Sequence, residues 1–95
     1  MTPATTAAYT YGQSPSGDAM ITCSTTFNSN IAWSTTGASG KIDVQACATH
    51  EFGHWLSLGH ASDSTAVMYY LINFGDTRDR YLKSDDIAGI KAIYP

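Results

Sequence analysis

The chain has 95 residues, 43% of them hydrophobic and 14% charged, with a formal net charge of −3 and a pI of about 5.3. That length allows one domain at most, and at this size roughly 60–70% of the unfolded surface can be buried. No basic stripe exists to neutralise phosphates, which argues against a nucleic-acid partner, and no apolar run approaches the ~18 residues needed to span a bilayer.

Residues 1–40 hold one charged side chain, Asp18. Two β-prone runs, TTAAYTYG and AMITCSTTF, flank the turn-forming QSPSGD, and together they predict a hairpin over about 7–27. In the second run Ile21, Cys23 and Phe27 alternate with Thr22, Ser24 and Thr26, the period of a half-buried strand. Residues 28–42 form a polar loop with Gly37 and Gly40 as breakers, which Trp33 is expected to pin to the body. Cys23 and Cys47 either form one bridge in an oxidising compartment or are two small buried hydrophobes.

At Asp43 the pattern changes. Asp43 is a suitable N-cap, and the proline-free VQACATHEFGHWLSL predicts a helix over about 44–57. Residues 59–83 read as irregular, with Gly59 and Gly75 among scattered Asp and Ser. Ser84 then caps a last helix over about 85–94, where Asp85 and Asp86 complement the helix dipole and Ile87, Ile90, Ala92 and Ile93 form an apolar face. No secretory leader pattern is visible at Met1.

All three histidines lie between positions 50 and 60. His50, Glu51 and His54 fit H-E-x-x-H on a helix, whose spacing puts both imidazoles on one face, able to hold two positions of a Zn²⁺ ion. Glu51 lies about 100° round the helix from His50, beside the metal and suited to deprotonating its water. His60 is the remaining histidine and reaches the same ion only if the chain turns back, for which Gly59 offers a residue tolerant of positive φ. A single histidine on an apolar face is more often a core residue. A chance four-residue match is on the order of one in a million per position, which favours a metal site. Three protein ligands with no nearby cysteine suggest a catalytic ion.

The segment HEFGHWLSLGH resembles the H-E-x-x-H-x-x-G-x-x-H motif of the metzincin zinc metallopeptidases. AVMYY resembles their Met-turn, here near 66–69, and KSDDIAGIKAIYP resembles the closing helix of the matrixin branch. AAYTYG and AMITCSTTFNSNIAWS are similar to the last two strands of a bacterial matrixin-like sheet. The resemblance implies an α+β fold, a small antiparallel or mixed sheet packed on the active-site helix. It also implies a secreted, extracellular endopeptidase that binds one catalytic zinc and is expected to be monomeric. Its ligands would be His50, His54 and His60, its general base Glu51, its Met-turn residue Met68. Asp85 and Asp86 would tie the last helix to that turn. An extended polypeptide substrate would lie along strand 19–27, with Leu71, Ile72 and Phe74 forming an apolar pocket wall.

Three departures stand out. Ser57 occupies the family's glycine position, so either a serine takes positive φ or the turn moves toward Gly59. Tyr70 replaces a proline and is a candidate zinc neighbour or a pocket aromatic. Residues 1–95 read as one catalytic domain in truncated form, its first strands and backing helix missing. A non-catalytic zinc-binding module is therefore the competing reading. Calcium is a further candidate ligand, with Asp63 and Asp76 in loops, although isolated loop aspartates are more often turn formers.

Overall fold

A computed structural model describes residues 6–13 and 22–94. The expected QSPSGD turn beyond Gln13, and Ile21 of the second run, lie outside the described residues. The architecture is α+β. Strands β1 (Ala8–Gln13) and β2 (Thr22–Phe27) form an antiparallel pair in which Thr10 faces Thr25 and Gly12 faces Cys23. Two short strands, β3 (Trp33–Ser34) and β4 (Ile42–Asp43), pair in parallel and lead into helix α1 (Val44–Trp55). A single 3-10 turn at Arg78–Arg80 precedes helix α2 (Ser84–Ile93). Trp33 holds its loop as expected: its indole donates to the Asn28 carbonyl at 2.9 Å, and its ring meets Phe27 edge-on at 5.5 Å.

The core is small. Ile42, Ala46, Cys47, Ala66, Val67 and Met68 are the buried apolar residues among those described, and α1 meets the 66–68 segment through Gly53 against Met68 and His50 against the Val67 carbonyl. Cys23 and Cys47 are both free thiols, and burial, then the nearby Glu51 carboxylate, pushes the Cys47 thiol up to about 12.

Asp43 starts α1 as the sequence indicates, its Oδ2 accepting from Ala46 N at 2.9 Å. It is fully buried and also accepts from Arg80 Nε at 2.8 Å, while Arg80 Nη2 donates to the Thr35 carbonyl at 3.0 Å. The Arg80 hydrogen bond outweighs burial and holds the Asp43 carboxyl below the usual carboxylate range. The unfolded chain therefore takes up a proton here first as pH falls below about 4. Asp43's contribution is complete above that pH and is lost as pH falls through the lower folded value. Asp43→Ala should cost about 1 kcal/mol through the cap alone, and should flatten the acid side of a stability-versus-pH curve measured by urea unfolding.

Helix α2 differs from expectation at its start. Lys83, not Ser84, is the N-cap, and Asp86 accepts from its backbone N at 2.9 Å. The same buried carboxylate accepts from Val67 N at 2.9 Å and Met68 N at 3.1 Å. Asp86 thus ties α2 to the turn carrying Met68, as the resemblance implies, whereas Asp85 is exposed.

Candidate metal centre

The helical spacing of His50 and His54 places their rings 5.0 Å apart, centroid to centroid. His60 joins them at 5.0 Å from His54 and 5.3 Å from His50. One ligand atom from each of the three lies within 4.8 Å of the others.

His60 gets there because α1 stops at Trp55, two residues before the expected end at 57. Leu58 N donates to the Gly53 carbonyl at 3.1 Å and Ser57 N to the His54 carbonyl at 3.0 Å. This is a Schellman termination, which needs a left-handed residue just past the cap. Ser57 supplies it with φ 67°, and Gly59 is not among the positive-φ residues. The turn therefore sits at Ser57, and the alternative at Gly59 is corrected. The strain is local: the buried Ser57 Oγ has no hydrogen-bond partner among the described residues. Ser57→Gly should stabilise the fold by about 1 kcal/mol, relieving the left-handed penalty and the buried hydroxyl. A thermal melt should rise by about 5 °C; an unchanged or lower midpoint would show that Ser57 is not strained.

Two carbonyls orient the rings. His50 Nδ1 lies 2.7 Å from the Val67 carbonyl oxygen, and His54 Nδ1 lies 2.7 Å from that of Leu58. A carbonyl only accepts, so each Nδ1 carries the proton and each Nε2 lone pair is left for a cation. His50 is buried, and burial lowers its pKa from the ordinary value; His60 is lowered by burial, then by its two histidine neighbours. Both effects favour the neutral imidazole that binds metal. The donor set of three neutral imidazoles fits Zn²⁺ with an open fourth position.

Glu51 is buried and adjacent, its Oε2 3.9 Å from His50 Nε2 and its Oε1 accepting from Thr10 Oγ1 at 2.7 Å. Met68 is buried against α1 directly beneath Gly53, where an added Cβ would collide with its sulfur. Tyr70 is exposed at the rim, its ring 6.5 Å from that of His60, beside the histidine group and outside it. Asp63 accepts from Thr65, and Asp76 pairs with Arg78, so both loop aspartates serve local turns.

A cleft of about 730 Å³ opens beside these residues. Its lining includes Thr6, Ala7 and Ala8 and also Leu71, Ile72 and Phe74. No residue of β2 lines it, whereas Ala8 of β1 and the two residues before it do; residues 19–21 of the strand expected beside the cleft lie outside the described residues. β2 instead meets the far end of α1, where Trp55 Nε1 donates to Thr25 Oγ1 at 2.8 Å. Sequence reasoning missed Thr10 and the carbonyls of Leu58 and Val67. A threonine among many in a strand gives no signal, and main-chain partners are silent in any sequence.

The sequence profile of the Matrixin family matches residues 4–95. Matrilysin from Homo sapiens is 44% identical over 68 residues, covering 72% of this chain and 25% of that protein. Neutrophil collagenase from Homo sapiens is 40% identical over 87 residues, 92% of this chain and 17% of that protein. Metalloendoproteinase 1 from Glycine max is 45% identical over 56 residues, 59% of this chain and 18% of that protein. The chain thus spans a quarter or less of the length of these relatives.

Proposed function

The chain belongs to the matrixin family, and from that premise we propose that it is a zinc-dependent endopeptidase in which His50, His54 and His60 hold the metal and Glu51 is the general base. The observation that carries this reading is the convergence of three imidazoles, two with Nδ1 tied to carbonyls, beside a buried carboxylate. When bound, the zinc would supply a Lewis acid that polarises the scissile carbonyl and lowers the pKa of water toward ~7.

The rest is done by the chain's own groups. Glu51 Oε2 takes a proton from the attacking water and delivers it to the departing amide nitrogen, a transfer that general acid–base catalysis makes possible near neutral pH. Thr6, Ala7 and Ala8 line the cleft, and beyond the Thr6 and Ala7 carbonyls that Asn28 occupies their main-chain groups would let an extended polypeptide dock there as an added strand. Leu71, Ile72 and Phe74 would receive an apolar side chain in the same cleft. Met68 supports the site by packing beneath Gly53 of the helix that carries His50 and His54. We place the enzyme outside the cell as a monomer by its family, with peptide rather than nucleic acid as partner. No helix among the described residues is long and apolar enough to cross a membrane.

The test is cleavage of an internally quenched peptide by the zinc-loaded chain, lost on chelation and restored by zinc. Stoichiometric zinc binding without cleavage would overturn the peptidase reading and leave a metal-holding module.

A further inference from the structure

Glu51 is approached from the hairpin by a continuous line of hydrogen bonds. Trp55 Nε1 lies 2.8 Å from Thr25 Oγ1, Thr25 Oγ1 lies 2.7 Å from Thr10 Oγ1, and Thr10 Oγ1 lies 2.7 Å from Glu51 Oε1. The two ends fix its direction. An indole N–H can only donate and an ionised carboxylate can only accept, while each threonine has one proton to give. With Thr10 donating to Glu51, Thr25 must donate to Thr10, leaving its lone pair for Trp55. All dipoles then point toward the carboxylate, the arrangement in which linked hydrogen bonds strengthen one another.

The two oxygens of Glu51 are thereby distinguished. Oε1 is anchored to the hairpin through Thr10, and Oε2 faces the nitrogen of His50 at 3.9 Å. We infer that Thr10 is a positioning residue for Glu51, held in turn by Thr25 and Trp55, and that this line fixes which carboxylate oxygen faces the metal centre. A carboxylate free to swing about its last bond presents the correct oxygen only part of the time, and holding a reacting group in place is a direct source of rate. The inference rests on the reading of Glu51 as general base. The line also explains why the sheet's Thr10–Thr25 pair, polar on both strands, faces α1: it is a connection between hairpin and helix made of hydroxyls rather than apolar side chains.

A purely structural Thr10 and a positioning Thr10 respond oppositely to two substitutions. Thr10→Val keeps the volume and removes the hydroxyl; Thr10→Ser keeps the hydroxyl and removes a methyl. The zinc-loaded full chain is assayed with a quenched peptide, and its Trp55 indole N–H and Glu51 carboxyl ¹³C resonances are recorded by NMR. The expected result for Thr10→Val is a fall in kcat of about tenfold, the worth of a hydrogen bond to a charged group, with KM within about twofold. Thr10→Ser should recover most of that loss. The Glu51 carboxyl resonance should move in Thr10→Val. So should the Trp55 indole resonance, although Trp55 bonds only to Thr25 in the line. Thr25→Val should move both resonances as well. Wild-type kcat in Thr10→Val, or a loss in Thr10→Ser as large as in Thr10→Val, would overturn the inference. Should the wild-type chain bind zinc and cleave nothing, the peptidase reading fails by itself. The NMR arm then decides the positioning line alone: unmoved Glu51 and Trp55 resonances in a folded Thr10→Val overturn it.

Discussion

Glu51→Ala should lower peptide turnover by about 10²–10⁴-fold while the chain still binds zinc, because the loss falls on proton transfer and not on the ligand set. The three ligand atoms come from His50, His54 and His60, and Glu51 stands next to them with one oxygen already occupied by Thr10. Removing it therefore leaves the metal's partners intact. Glu51→Gln sharpens the test. The amide keeps the shape and can still accept from Thr10 but cannot take up a proton at neutral pH, so kcat should fall nearly as far with KM little changed. Glu51→Ala also leaves the Thr10 hydroxyl only the long contact to the main-chain carbonyl of residue 51 at 3.4 Å, at a cost of about 1 kcal/mol, so the melting point should be recorded alongside. Loss of zinc from Glu51→Gln would mean that the carboxylate is a ligand; wild-type turnover would mean that another group is the base.

Removing the metal should destabilise the whole fold. Among the described residues the core has six buried apolar side chains, two of them alanines, and the centre brings together three rings from either side of a strained turn at Ser57. His60 is exposed over much of its surface and only partly desolvated, so little burial holds that end of the turn in place. An ion bound at a thousand times its Kd would add about 4 kcal/mol to folding. A chelator at neutral pH should therefore lower the melting midpoint markedly. His60→Ala should weaken zinc by more than the ~10–100-fold typical of losing an outer hydrogen-bond partner, and its melt should no longer respond to chelator.

The pH dependence has a definite sign. His50 and His60 have folded pKa values below the unfolded value near ~6.5. The unfolded state thus binds more protons around that pH, and stability is complete above it and lost as pH falls through the folded values. Proton competition for the ligands adds to this, so the zinc-dependent part of the melt should shrink on acidification. A midpoint that chelator leaves unmoved at neutral pH would show that the scaffold stands without metal.

Much of this molecule is local in origin, and its sequence shows it. The i, i+4 spacing of His50 and His54 and the Asp43 cap depend only on helix geometry, as does the position of Glu51 one residue on. The Asp86 link to the Met68 turn was legible only through the family resemblance, and of the alternation expected in the second strand Cys23 is half-buried while Phe27 is exposed. The helix boundaries were not legible. Whether α1 ended at Trp55 or ran on to 57 depended on Ser57 accepting φ 67°, a penalty no propensity favours and the Schellman hydrogen bonds offset.

What only the tertiary structure decided is how separate segments meet. The 37-residue separation between Asp43 and Arg80, and the 41-residue separation between Thr10 and Glu51, carry no pattern in the chain. The same holds for Ala8 at the start of β1 lining the cleft, and for the carbonyls of Val67 and Leu58 that set the imidazole tautomers. Sequence alone determined that His50 and His54 share one face of α1, because spacing along one helix is a property of the backbone, whereas His60 joins them only through the turn at Ser57. Which oxygen of Glu51 faces that centre, and which strand edges it, were settled by packing between elements far apart in the chain, where any of several threonines or strands would have fitted the local pattern equally well.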